Sequence, residues 1–142
     1  MGWTEHALGV LDETGYRAGG ARRAVVELLG RQTCCLSAQG IFDRLRAAKR
    51  PVGIASVYRA LETLSELRLV KRVDAGDGIA RYERAAPDGD HHHHLVCREC
   101  GKVEAFSDPR LERTVDRVAG GFGYDVDEHE IVLTGACADC AA

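Results

Sequence analysis

Gly53-Ile54-Ala55-Ser56-Val57-Tyr58-Arg59-Ala60-Leu61-Glu62-Thr63-Leu64 decides how the first half of this chain is read. Val57, Leu61 and Leu64 recur at i, i+4 and i+7, the spacing of one apolar helix face. Ala55, Arg59 and Glu62 fall opposite, with Tyr58 at the flank. The stretch predicts a helix that buries one side and offers an arginine and a tyrosine on the other. Upstream, helices are expected over Glu5 to Glu13 and over Ala21 to Gly30, the second with Ala24, Val25, Leu28 and Leu29 as its apolar stripe. Ser37 predicts the cap of a third helix whose Ile41, Phe42 and Leu45 face inward and which stops before Arg50-Pro51. Downstream, Leu69 to Val73 and Ala80 to Glu83 predict two strands, joined by the turn chemistry of Asp74-Ala75-Gly76-Asp77-Gly78. Helices followed by a short basic hairpin describe a winged helix-turn-helix over residues 1–84.

Ala85-Ala86-Pro87-Asp88-Gly89-Asp90, small and polar, predicts a hinge over residues 85–90. Beyond it, Leu95 to Phe106 predicts a hairpin, and Ser107-Asp108-Pro109 a helix start. That helix should turn Leu111, Val115 and Val118 inward and end at Gly120-Gly121; Tyr124 to Thr134 should form a last strand. The expected class is therefore α+β: a winged helix-turn-helix, then a small α/β dimerisation domain with an antiparallel sheet over residues 91–142. About three strands and one helix make a thin core, which predicts a partner subunit.

The charge is divided in the same place. Residues 1–84 carry 14 Lys/Arg against 10 Asp/Glu, net +4, and residues 85–142 carry 5 against 12, net −7, which gives the chain its −3. A basic half suits phosphates, and an acidic half offers metal ligands. No apolar run approaches the roughly 18 residues of a membrane span. Met1-Gly2-Trp3-Thr4-Glu5-His6 lacks the basic and apolar segments of a secretory signal, so a cytoplasmic location is expected.

Of the six cysteines, Cys97 with Cys100 and Cys137 with Cys140 form two C-x-x-C knuckles, and Cys34 and Cys35 stand apart. Each knuckle places two thiolates at one tight turn, and two such turns make the closed four-sulfur site that zinc favours. A redox dithiol or disulfide is the competing reading. The 36 residues between Cys100 and Cys137 would then be stapled at both ends. In His91-His92-His93-His94 an extended backbone sends His91 and His93 to one face and His92 and His94 to the other, so one strand can serve two metal sites. A solvated polar linker is the bland alternative.

Val52-Gly53-Ile54-Ala55-Ser56-Val57-Tyr58-Arg59-Ala60-Leu61 and His91-His92-His93-His94-Leu95-Val96-Cys97-Arg98-Glu99-Cys100-Gly101-Lys102, in this order, resemble the recognition-helix and metal signatures of the ferric uptake regulator family. The resemblance covers nearly the whole chain. It implies a homodimer that represses transcription by binding double-stranded operator DNA, palindromic in form, when its sensed metal is bound. Position by position, His91, His93, Glu112 and His129 match the family's sensing site. His92, His94 and Glu83 match a second site that links the domains, with Cys35 where the family commonly has a histidine. Cys35 is there either a thiolate ligand or a small buried residue, and Cys34 is expected to pack.

Tyr58 and Arg59 match DNA contacts on the recognition helix, and Ser56 of the same stretch joins them as a candidate. Arg22 matches a phosphate or backbone contact near the second helix, and Arg17 a basic residue before it. The cofactors implied are Zn2+ in the four-cysteine site and Zn2+ or Fe2+ in the regulatory site. Zinc is slightly preferred because thiolate favours it, although no cysteine shortly precedes the His run as in many of the family's zinc sensors. The rival class is a zinc enzyme or carrier using the His run. An enzyme, however, needs an open ligand position and has no use for a helix-turn-helix.

Overall fold

The computed structural model describes residues 2–16, 19–32, 35–85 and 92–141. Most of the expected hinge, together with Arg17, Cys34 and His91, lies outside them. The chain divides into two compact units, Met1–Asp90 and His91–Ala142, and each is described by itself.

The first unit opens with α1 (Trp3–Glu13) and α2 (Ala21–Gly30). The Trp3 indole donates to the carbonyl of Leu69 at 3.0 Å, tying α1 to a segment 66 residues on. On α2 not only the expected stripe but also Val26 is buried, so this helix runs through the middle of the core. The Arg84 guanidinium donates to the carbonyls of Gly30 and Gln32 at 3.3 and 3.0 Å, giving the C-terminal end of α2 a cation. A two-residue strand β1 (Leu36–Ser37) leads into α3 (Ala38–Ala47), where the Ser37 hydroxyl accepts from the Gly40 amide as the expected cap.

Helix α4 (Ile54–Glu66) buries Val57, Ala60, Leu61, Thr63 and Leu64 against α2 and α3. Burying one such Leu or Val contributes roughly 1.5–3 kcal/mol, which commits the opposite face, with Tyr58 and Arg59, to solvent. Strands β2 (Val70–Asp74) and β3 (Ala80–Arg84) pair antiparallel, and β1 pairs with the far edge of β3, giving the order β1-β3-β2. The β2–β3 turn is held by Asp74, which accepts from the Gly76 amide at 3.0 Å, and by Asp77, which accepts from that of Ile79 at 3.0 Å.

The second unit carries β4 (His93–Cys97), β5 (Val103–Phe106), α5 (Pro109–Gly121), β6 (Val132–Gly135) and a short α6 (Ala138–Ala141). Asp108 caps α5, accepting from Arg110 and Leu111 amides at 2.8 and 3.4 Å, with Pro109 in the first turn. Two expectations are corrected here. The last strand is four residues long, not Tyr124 to Thr134: residues 124–131 follow an irregular path, and only from Val132 does a neighbouring strand accept pairing. The sheet, ordered β5-β4-β6, is mixed: β4–β5 is antiparallel as expected, but β6 joins β4 in parallel, because the connection through α5 leaves β5 and enters β6 at the same end of the sheet, beside His93 and His94.

Helix α5 contains no buried residue: Leu111 and Val115 are half-buried, and Val118 is 49% exposed. Phe122 and Tyr124, just beyond it, are 79% and 72% exposed. The strongest amphipathic pattern in the chain therefore finds no complete cover within its own unit. No helix among the described residues is long and apolar enough to cross a membrane.

Candidate metal centres

The parallel pairing of β4 with β6 brings the two knuckles together. Cys97 stands opposite Gly135, so both strands end side by side. The turn after β4 holds Cys100, the turn after β6 holds Cys137, and Cys140 lies in α6. The four sulfurs lie within 4.8 Å of one another, and Cys100 Sγ is 3.8 Å from Cys137 Sγ. A tetrahedron with zinc–sulfur bonds of about 2.3 Å has sulfur–sulfur edges of about 3.8 Å, so the spacing suits a zinc ion. The Cys97 sulfur accepts from the Cys100 and Cys137 amides at 3.5 and 3.3 Å, and these bonds pull its pKa down to about 6. Cys140 is pushed up to about 12 by hydrogen bonding with the sulfurs of Cys137, Cys97 and Cys100. Four crowded thiols cannot all ionise alone, whereas a dication at their centre removes that conflict.

A second cluster is built from His93, Glu112 and His129. His93 starts β4, Glu112 lies in the first turn of α5 and His129 sits in the irregular segment before β6. Its position therefore comes from the path of that segment. Glu112 bridges the imidazoles: Oε1 is 2.5 Å from His93 Nε2 and Oε2 is 2.7 Å from His129 Nε2. His93 is fully buried and its Nδ1 accepts from the Ile131 amide at 3.1 Å, which fixes the ring with Nε2 toward the carboxylate. Two imidazoles and a carboxylate form a borderline donor set that suits zinc, iron(II) and related ions. A metal-bound imidazole ordinarily donates from its other nitrogen. A metal held at His93 Nε2 would favour a proton on Nδ1, where the Ile131 amide now donates. The expected fourth member, His91, lies outside the described residues.

The other expected set falls in both units. In the first unit, β1 and β3 pair Leu36 with Tyr82 and Ser37 with Arg81, so one further step of the register sets Cys35 across from Glu83. Both are buried, at 7% and 5% exposure. In the second unit His94 is buried and His92 half-buried, their rings 5.0 Å apart in a T-shaped contact.

On α4, Tyr58 is 56% exposed, and the exposed Arg59 donates from Nη2 to the Ser56 hydroxyl at 3.0 Å. Arg22 lies over the Tyr16 ring, 5.1 Å from its centroid. Sequence reasoning passed over Glu27, whose carboxylate takes Arg50 at 2.6 Å and Arg23 at 3.4 Å. The Arg23–Glu27 spacing of i, i+4 is visible in the sequence, but the partner 23 residues on is not.

Residues 13–134 match the model of the ferric uptake regulator family. The chain is 33% identical over 132 residues to the ferric uptake regulation protein of Bacillus subtilis, covering 92% of this chain and 89% of that one. It is 31% identical over 137 residues to the peroxide operon regulator of the same organism, covering 96% and 92%. Among solved structures, the Helicobacter pylori ferric uptake regulator superposes with a TM-score of 0.84 at 27% identity, covering 98% of this chain and 94% of that one. With a family match over most of its length and a common fold, the chain belongs to the ferric uptake regulator family.

Proposed function

We propose that this regulator is a metal-dependent transcriptional repressor that binds palindromic operator DNA as a homodimer in the cytoplasm. The observation that carries the reading is the His93–Glu112–His129 cluster in a chain that also presents Tyr58 and Arg59 on an exposed helix face. The Helicobacter pylori relative is described with three functional metal binding sites, and this chain offers three ligand sets of its own. Cys97, Cys100, Cys137 and Cys140 hold a structural zinc, closed to substrate because all four positions are sulfur. His91, His93, Glu112 and His129 form the sensing set, with zinc ahead of iron(II) as its ion. The uncovered apolar side of α5 supports the dimer.

When bound, the sensed ion supplies a bond network that limits how far the sensing residues can separate. His93 then fixes the first residue of β4, just after the linker to the DNA-binding unit, and so narrows the range of separations between two recognition helices. Half-site spacing rewards a fixed separation, and metal thereby favours the DNA-bound population. The test is binding to a palindromic duplex across buffered zinc, iron(II), manganese and nickel. Arg59→Ala is expected to lower operator affinity by about 1–3 kcal/mol, with dimerisation and zinc content unchanged. Metal-independent binding, or wild-type affinity in Arg59→Ala, overturns the corresponding part of the reading.

On the resemblance we also propose that Cys35 and Glu83, with His92 and His94, serve a second regulatory ion. The sulfur in this set is the reason for placing zinc first. With the four-cysteine site already filled, Cys35→Ala should take up a further zinc ion at least tenfold more weakly, and Cys35→His should retain it with less preference for zinc. Equal zinc titrations for wild type and Cys35→Ala would show that Cys35 only packs.

A further inference from the structure

One side chain ties the end of the first unit's last strand to the end of a helix. Arg84, the last residue of β3, donates from Nη1 to the Gly30 carbonyl at 3.3 Å and from Nη2 to the Gln32 carbonyl at 3.0 Å. Gln32 is held from a second side, where its Oε1 accepts from Arg44 Nη1 of α3 at 3.0 Å. The strand end is anchored as well. The Ala85 amide donates to the Leu69 carbonyl at 3.0 Å, the same oxygen that takes the Trp3 indole. The arginine bonds lie at the surface, where exchange with water leaves each of them a small net contribution to stability. Their consequence is geometric.

Gln32 stands three positions before Cys35, and Arg84 directly follows Glu83. Arg84 therefore links the segment leading to one buried side chain with the strand that carries the other. The ladder alone is a short guide for Cys35, because β1 contributes only Leu36 and Ser37 to it. Along β3 burial alternates, with Arg81 and Glu83 buried and Arg84 exposed. The guanidinium thus reaches the incoming segment without competing for the face that Glu83 occupies.

We infer that Arg84 is a positioning residue for the second regulatory ion, holding Cys35 across from Glu83 before the ion arrives. The inference rests on the proposal that these two residues serve that ion. A ligand pair already in place gives up less conformational freedom on binding, so its affinity for metal is higher. Side chains that orient ligands from outside the set are typically worth about tenfold or more in metal affinity. Arginine suits the task because its planar fork spans two carbonyls at once, whereas lysine offers a point charge to one.

The experiment titrates the full chain with cobalt(II), zinc already filling the four-cysteine site, and follows sulfur-to-cobalt absorption. The His93, Glu112 and His129 cluster contains no sulfur, so the signal is expected from Cys35 and should vanish in Cys35→Ala. Arg84→Gln and Arg84→Lys should both reach the wild-type absorption, at about tenfold higher cobalt(II). Arg84→Lys keeps a cation at the end of α2, so its melting temperature should match wild type and separate positioning from stability. A wild-type midpoint in either Arg84 variant overturns the inference while leaving the second ion in place. A loss that tracks a lowered melting temperature in both variants makes Arg84 a structural residue only, and also overturns it. Absorption that is absent from wild type, or unchanged in Cys35→Ala, overturns instead the proposal that Cys35 binds metal.

Discussion

Cys97→Ser is expected to unfold the second unit and to dissociate the dimer. Cys97 is buried at the end of β4, and its sulfur takes two backbone amides as well as facing the other three thiols. Few other side chains of this unit are buried: among them are Val96, His93 and His94. Zinc binding in small structural sites contributes on the order of 10 kcal/mol, comparable to the whole stability of an ordinary domain. Removing one ligand from so thin a core should leave nothing able to replace that term. The measurements are zinc content, thermal melting and sedimentation. A dimeric Cys97→Ser protein with a full complement of zinc and a wild-type melting temperature would remove the structural role.

His93→Ala should fail in the opposite manner, keeping the zinc-stapled dimer and losing the response to metal. Its imidazole and that of His129 meet on one Glu112 carboxylate, so deletion of either breaks the ligand set. Coupling between effector and DNA in regulators of this kind is typically about 1–3 kcal/mol, or roughly 5- to 150-fold in affinity. That gain should collapse to near unity in the variant. His93 is fully buried, and its loss will leave a cavity, so the half-buried His129 provides the companion variant His129→Ala. Zinc at one equivalent per chain in both proteins establishes that the fold survived. A wild-type increase in DNA affinity on adding metal to both variants would exclude this cluster as the sensor.

The parts of the molecule readable in the sequence are those fixed by local chemistry. The apolar spacing of Val57, Leu61 and Leu64 specifies a helix face without reference to the rest of the chain, and Ser37 and Asp108 cap helices with atoms two or three residues away. The knuckles are equally local. Pairing between distant segments was not readable. Strand β1 has only two residues and exists because β3 lies alongside. Tyr124 and Val126 alternate with Asp125 and Asp127 as a strand would, yet they find no partner strand and remain exposed. The direction of β6 depends on the return path through α5, which no residue of β6 encodes. His129 was matched to the sensing set by resemblance, while the bridge through Glu112 and the amide of Ile131 appears only in three dimensions.

The parallel alignment of β4 with β6 has a practical consequence for anyone handling this protein. His93 and Cys97 share one strand and one face, about 13 Å apart at the usual rise. A slip of one residue would turn His93 to the other face, away from Glu112. The knuckle clasps the ends of both strands and so forbids the slip. If the His93 cluster is the sensor, a molecule that has lost its clasp is expected to be deaf to effector at any concentration. Two preparations with different purification histories should therefore give dose–response curves with the same midpoint and different plateaus, the plateau tracking zinc content at the four cysteines.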